Sequence, residues 1–273
     1  MFEFDGKEFK KLALHGGGTP IFGHYIGLFD SIHIFDKLES FNIPLVTSSA
    51  GSMVVLYYIA KYIDKKCNIE SIFNIVEDEI GNVLENIYEN SIITFEFLRV
   101  LFEKEFAQIY SLTFRDLKKI SPNMEWTVCC SKYRTYEFSS YGTHTPDVVI
   151  WKACLASMCL PIIFPPIEIN GNLYCDGDLS DWVKHLNIIN DTDFLHIRTL
   201  LDPTNIPFGI HTNIPLLDEA IKLLAFSMSK MFTKTQPVHG VYRIDFIASI
   251  QKNFLSEEFI ESGKKMSRNF ILK

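Results

Sequence analysis

The sequence has no surplus of basic residues, because 26 Lys and Arg stand against 33 Asp and Glu among 273 residues. The resulting net charge of -7 argues against nucleic acid as the main partner. The N-terminus also lacks the basic and then apolar layout of a secretory signal peptide. We therefore expect a cytoplasmic protein, with peripheral membrane contact left open because apolar side chains can provide it.

The six cysteines include no Cys-x-x-Cys pair and show no spacing to histidine that is typical of metal ligands. Neither a zinc site nor a disulfide framework is therefore predicted, and we expect buried free thiols. No metal and no cofactor is expected.

No linker rich in Pro, Gly or Ser and no block of like charge interrupts the chain, so we expect one domain over residues 1–273. Ser40 to Ala60 has no charged side chain and is long enough to cross a bilayer. Pro44 and the polar residues Thr47 to Ser52 near the middle of this stretch oppose a transmembrane helix. A buried parallel strand followed by a buried helix explains the same apolarity.

Within that stretch, an apolar run changes to small residues at Thr47 and becomes apolar again at Met53. The pattern predicts a strand, a sharp turn at Ser49 and a helix. Such an elbow lifts a serine hydroxyl off the end of a sheet and points a helix N-terminus toward a developing oxyanion. The pattern is G-x-S-x-G with Thr47 in the first glycine position, and an ordinary capped turn is the alternative.

Earlier in the chain, a predicted strand at Lys11 to His15 leads directly into Gly16, Gly17 and Gly18. A helix is predicted after these glycines, from Gly23 to Leu38. Three consecutive glycines leave backbone N–H groups free to bind an anion, either a phosphate or a tetrahedral oxyanion. The nucleotide alternative is disfavoured because Ile21 occupies the last glycine position of G-x-G-x-x-G and no G-K-[ST] follows.

The remaining chain continues the alternation of strands and helices, which predicts an α/β fold: a three-layer domain with a mostly parallel central sheet. An Asn170-Gly171 hairpin turn leads into Asp176-Gly177-Asp178, itself a common tight-turn sequence. The other predictions are a helical region over 64–121, strands over 126–131, 134–139, 167–169, 173–175, 194–200 and 242–247, and helices over 146–158, 216–232 and 256–270.

Two predicted helices carry apolar stripes that allow two interpretations. One lies within Ile92 to Ile109 and includes Phe102, and the other lies within Leu216 to Phe232 and includes Met228. For Ile92 to Ile109 we favour a core-facing stripe, with a lid or a membrane-facing helix as the alternative. On the membrane-facing hypothesis, both helices supply apolar side chains that insert into a bilayer.

These features together resemble the patatin-like phospholipases. That family has a glycine-rich loop after the first strand, a G-x-S-x-G elbow and a D-G-G or D-G-A turn after a hairpin. The longest similarity combines A-x-x-A-S at Ala153 to Ser157, P-x-x-F-P-P at Pro161 to Pro166, and the Asp176-Gly177 turn. The closing helix also fits, so the resemblance covers nearly the whole chain.

The resemblance implies a metal-free serine hydrolase that cleaves fatty-acyl esters of phospholipids or related lipids and contacts membranes transiently. Ser49 would attack the ester, Asp176 would act as general base, and the amides of Gly16, Gly17 and Gly18 would form the oxyanion hole. A phospholipase A-type esterase is thus the expected activity.

Four positions depart from the family pattern. Thr47 replaces the first elbow glycine, which should crowd the turn, and Pro20 or its neighbours replace the expected Arg or Lys after the glycines. Asp178 replaces Gly or Ala, and Ser180 to Trp182 replace Asn-Asn-Pro or Asn-Tyr-Pro. They motivate a second hypothesis, a catalytically impaired protein that binds lipid or a protein partner.

A third hypothesis is a Ser-His-Asp hydrolase of the ordinary α/β type, which requires a histidine after Asp176. The available residues are His185, His196, His211 and His239. No motif surrounds any of them, so structural roles are favoured.

Overall fold

The protein is described from a computed structural model, in which residues 1–65, 67, 95–161, 164–201, 243–248 and 257–272 are placed. The predicted helix at Leu216 to Phe232 lies outside the described residues, as do His211 and His239. The strands are β1 (Phe2–Phe4), β2 (Lys7–Phe9), β3 (Lys11–Leu14), β4 (Leu45–Ser48), β5 (Trp126–Lys132), β6 (Phe138–Gly142), β7 (Ile167–Ile169), β8 (Asn172–Cys175), β9 (Phe194–Leu201), β10 (Arg243–Ala248) and β11 (Phe270–Leu272). The α-helices are α1 (Gly18–Ile32), α2 (Ala50–Ile63), α3 (Phe95–Glu105), α4 (Phe114–Ile120), α5 (Ile150–Met158), α6 (Trp182–His185) and α7 (Glu257–Ser267).

The central sheet has the strand order β10-β9-β3-β4-β5-β8-β7, with β6 also paired to β5. The first five strands of this order are parallel, and β6, β7 and β8 join by antiparallel pairing. The predicted α/β class with a central sheet is confirmed, and the sheet is mixed because the hairpin strands extend a parallel core.

Side chains on the two faces of the sheet contribute to two apolar cores. On one face, Leu12 and Leu45 pack in the main core together with residues of α1, α2 and α5. On the other face, Ala13 and Val46 pack against Trp182 in a smaller core. Burial on both faces explains why β3 and β4 read as nearly continuous apolar runs.

Local signals predicted the hairpin correctly, because Asn170 and Gly171 have φ of 52° and 78° between β7 and β8. The strand predicted over 134–139 is wrong in its first half. Arg134 and Tyr136 have φ of 75° and 57°, so the chain turns there and β6 begins at Phe138. The first helix also begins earlier than predicted, at Gly18, and ends at Ile32.

A second, three-stranded sheet in the order β11-β1-β2 was not predicted. β11 pairs antiparallel with β1, with Phe2 opposite Leu272. The predicted C-terminal helix therefore ends at Ser267, and the chain continues as a strand. Asp5 and Gly6, with φ of 50° and 74°, form the β1–β2 turn, and this Asp-Gly pair between phenylalanines was the local signal for the hairpin.

The apolar stripe of α3 faces the core, as the favoured interpretation predicted. Phe102 is 2% exposed and stacks with Phe106 and Trp151 at centroid distances of 5.1 and 5.4 Å. The alternative in which Phe102 inserts into a membrane is wrong. Among the described helices, none combines the length and the apolar character that crossing a membrane requires.

We predict that Phe102→Ala lowers the free energy of unfolding by about 3–5 kcal/mol, because it leaves a cavity between Phe106 and Trp151. Val100 on the same helix is 48% exposed, so Val100→Ala should change it by no more than about 0.5 kcal/mol. Urea unfolding of both variants measures the difference, and equal values would contradict the core-facing orientation of α3.

Candidate active site

Ser49 lies at a sharp elbow between β4 and α2. Its backbone has φ 49° and ψ -124°, a conformation rarely adopted by residues with a Cβ. The helix begins at once with Ala50, and it packs so closely on β3 that a Cβ on Gly51 would lie 2.4 Å from the Leu14 carbonyl oxygen. The small residues at 50 and 51 thus permit the close approach of helix and strand that the elbow requires.

Behind the elbow, a buried hydrogen-bond network holds the backbone of Ser49. The Ser49 N–H donates to Ser157 Oγ at 2.9 Å, and the Ser157 hydroxyl donates to the Cys129 carbonyl at 2.6 Å. Ser157 Oγ also lies 3.1 Å from Ser52 Oγ. Ser157 of α5 therefore connects the elbow to the neighbouring strand β5.

Thr47 belongs to the same network. Its Oγ1 lies 2.8 Å from Ser52 Oγ and accepts a hydrogen bond from Trp126 Nε1 at 2.9 Å. The expected crowding of the turn by Thr47 is not found. Val46 enters the smaller core on one face of the sheet, and the Thr47 side chain points to the opposite face, where Trp126 packs in the main core. Sequence reasoning did not find the supporting roles of Ser157 and Trp126; the serine of A-x-x-A-S was the available signal.

The hydroxyl of Ser49 donates to Asp176 Oδ2 at 2.8 Å, although 127 positions separate the two residues. Asp176 follows β8, and its backbone N–H donates to the Cys159 carbonyl at 3.0 Å. Its carbonyl accepts from Ser131 Oγ at 2.7 Å. These contacts fix the carboxylate on the serine, and the two residues are 8% and 3% exposed.

The site contains two buried carboxylates, Asp176 and Asp178. Burial, and after it the negative charge of Asp178, raises the pKa of Asp176 well above its usual range. Hydrogen bonds from the Asp178 backbone N–H and from Ser49 oppose that rise. Burial also raises the pKa of Asp178. A carboxyl group with a raised pKa is a stronger base toward a hydroxyl proton than one in water.

The glycine loop lies directly against the elbow. A Cβ on Gly16 would lie 2.5 Å from Ser49 Cβ, so only glycine fits there. The Gly16 N–H is directed to the Asp178 carboxylate. Gly17 and Gly18 stand at the N-cap and first residue of α1, where the helix provides no carbonyl acceptors for its first N–H groups.

Of the four histidines considered for a Ser-His-Asp triad, His185 and His196 lie among the described residues, and both have other contacts. His196 Nδ1 lies 3.3 Å from His15 Nε2, and the His185 ring stacks on Phe138. The Ser49 hydroxyl is directed to Asp176. Among the described residues, no three His, Cys, Asp or Glu side chains are grouped so that they could hold a metal ion.

A family model described as "Patatin-like phospholipase" matches residues 12–183, more than half of the chain. The match begins in β3 and ends in α6, so it includes the glycine loop, the elbow and the Asp176 turn. Comparison with curated proteins gives no match.

Two solved structures match parts of the chain. VipD from Legionella pneumophila has 13% identity and a TM-score of 0.51, covering 96% of this chain and 66% of the VipD chain. ExoU in its heterodimeric complex with SpcU, from the type III secretion system of Pseudomonas aeruginosa, has 15% identity and a TM-score of 0.37, covering 83% of this chain and 51% of that chain. This chain thus spans just under two thirds of VipD and about half of ExoU.

We predict that Thr47→Val lowers the free energy of unfolding by about 1–3 kcal/mol, because the buried indole N–H of Trp126 loses its acceptor. Thr47→Ser keeps the hydroxyl and should cost less, about 1 kcal/mol for the lost methyl group. Urea unfolding of the two variants tests this order, and a Thr47→Val protein as stable as the unaltered protein would contradict the role of the hydroxyl.

Proposed function

Because the chain belongs to the patatin-like phospholipase family, we propose that it is a phospholipase A-type lipid acyl hydrolase with a Ser49–Asp176 dyad. Family membership supports a lipid-hydrolase role, and the 2.8 Å hydrogen bond from Ser49 Oγ to Asp176 Oδ2 is the observation that supports the dyad. A nucleophile and a base within hydrogen-bond reach are the arrangement that acyl transfer requires.

In the proposed acylation step, Ser49 Oγ attacks the carbonyl carbon of the acyl ester while its proton passes to Asp176. The tetrahedral intermediate collapses, the bond to the alcohol oxygen breaks, and Asp176 returns the proton to the leaving alcohol. An acyl ester of Ser49 and a lysolipid or other alcohol result. Water then attacks the acyl-enzyme with Asp176 again as base, which releases a fatty acid and restores Ser49.

The developing oxyanion needs donors on the side of Ser49 away from Asp176. We assign this role to the backbone N–H groups of Gly17 and Gly18, since they stand at the N-terminus of α1, where the helix dipole also favours negative charge. Gly16, the third residue expected in the hole, also shapes the site, because it approaches the Ser49 side chain too closely for a Cβ.

The proposed substrate is a phospholipid or another acyl-ester lipid, and the protein would reach it by transient contact with a membrane surface. We propose a cytoplasmic or peripheral membrane location. The alternative, an impaired protein that binds lipid without turnover, draws on Asp178 beside the glycine loop, because a second negative charge there opposes an oxyanion.

We predict that Ser49→Ala abolishes both hydrolysis of a short-chain p-nitrophenyl ester and covalent labelling by a fluorophosphonate probe, because the attacking oxygen is lost. Ser48→Ala should retain labelling, since the side chain before the elbow points to the other face of β4. Labelling measured by mass spectrometry, with thermal melting as the control for folding, decides this. An unaltered protein that binds lipid vesicles but is neither labelled nor active would favour the impaired alternative.

We predict that Asp176→Asn lowers kcat by about 10²-fold or more with little change in KM, because the amide keeps the shape of the carboxylate but accepts no proton. Steady-state kinetics on the same ester measure both constants. A large rise in KM with kcat unchanged would show that Asp176 binds substrate and is not the base.

A further inference from the structure

Two departures from the family pattern meet in the structure. Asp178 stands where the resemblance predicts Gly or Ala, and Trp182 stands where it predicts proline. Trp182 Nε1 donates to Asp178 Oδ1 at 3.1 Å, whereas a proline would bring no N–H to this point. Both side chains are buried. The second carboxylate of the site is therefore accompanied by a hydrogen-bond donor of its own.

The other oxygen of Asp178 faces the glycine loop. The Gly16 N–H is directed to this carboxylate, and a Cβ on Gly16 would lie 2.0 Å from Asp178 Oδ2. Asp178 also donates its backbone N–H to Asp176 Oδ1 at 2.9 Å. One residue thus contacts the glycine loop, the proposed base and α6.

We propose that Asp178 is a positioning residue that ties the glycine loop to α6 and whose charge sets the pH range in which Asp176 works as base. This inference rests on the proposed function, because it takes Asp176 as the group that accepts the Ser49 proton.

Each of the two carboxylates has hydrogen-bond donors of its own. The Gly16 N–H and the Trp182 indole favour the charged form of Asp178 and so oppose the rise of its pKa by burial. The charge of Asp178 in turn is the second cause, after burial, that raises the pKa of Asp176. Two neighbouring carboxyl groups cannot both lose their protons as readily as either one could alone, so the charge of Asp178 raises the pH at which Asp176 becomes free to act as base.

Among the described residues, titratable side chains near Asp178 or its partner Trp182 lie on α1, on β5 and directly after β3. Burial raises the pKa of Tyr25 and of Cys129 well above the usual range, and Asp178 adds to both rises, so these groups are neutral near pH 7. The ring of His15 contacts the ring of Trp182 at a centroid distance of 4.5 Å. Asp176 is thus the acid to which Asp178 is directly hydrogen-bonded.

The test is the pH dependence of kcat/KM for a soluble p-nitrophenyl ester, since this quantity reports the ionisation of the free enzyme. At low pH, kcat/KM should fall as Asp176 becomes protonated, and we call this fall the acid limb. In the unaltered protein its midpoint should lie at least about one pH unit above the ordinary aspartate pKa of about 4. Asp178→Asn removes the neighbouring charge and lowers the pKa of Asp176, so the limb should move to lower pH by at least about one unit.

Two further variants separate charge from structure. Trp182→Phe keeps an aromatic ring but removes a donor to Asp178, which makes Asp178 easier to protonate. Its acid limb should therefore move in the same direction as in Asp178→Asn, but by less. Asp181→Asn is the matched control, because Asp181 is exposed and caps α6 without a side-chain hydrogen bond. It should leave the limb in place.

An acid limb near pH 4 in the unaltered protein would overturn the inference, and this outcome depends on no variant. A folded Asp178→Asn protein with an unshifted limb would also overturn it, whether or not activity falls at all pH values. If Asp178→Asn fails to fold by thermal melting, an unshifted limb in Trp182→Phe does the same. Absence of any Ser49-dependent hydrolysis would instead reject the proposed function, which is a distinguishable result.

Discussion

The left-handed backbone of Ser49 is the constraint on which the site depends. Such a conformation costs about 1–3 kcal/mol and persists only where the surrounding structure holds it. Here it is held from three directions: by α2 through Gly51 against β3, by Ser157 on the Ser49 N–H, and by Gly16 against the Ser49 side chain. In this arrangement the Ser49 hydroxyl is directed to Asp176.

The same region buries two carboxylates, and burial of charge requires compensation. Asp176 accepts from Ser49 and from a backbone N–H, while Asp178 accepts from Trp182 and lies against the glycine loop. Two departures from the family pattern, Asp178 and Trp182, are thus joined by a hydrogen bond. Thr47 is likewise linked, since its hydroxyl accepts from Trp126. Thr47, Asp178 and Trp182 are accommodated because each forms a hydrogen bond with another buried side chain.

Much of the fold could be predicted from the sequence, because strands with apolar runs, the Asn170-Gly171 turn and the strand-to-helix elbow are local features. The errors fell where local signals mislead or are absent. Arg134 and Tyr136 adopt positive φ, although neither Arg nor Tyr is a residue type that indicates a turn. The sequence therefore gave no reason to place a turn there, and the predicted strand was too long. The small sheet pairs Phe2 with Leu272, a contact between the two ends of the described chain that no local period encodes.

The sequence by itself determined the elbow, the glycine loop and the Asp176 turn, because the required backbone shapes restrict which residues fit at each position. Only the tertiary structure decided which of them meet. Strand order β9-β3-β4-β5-β8 brings the end of β4 beside the Asp176 turn and places Trp182 on Asp178. Apolar periodicity carries information about a few neighbouring residues only. Strand order depends instead on how whole helices and strands bury their faces against one another. Hydrogen-bond partners that are distant in sequence are therefore identified only in the folded chain.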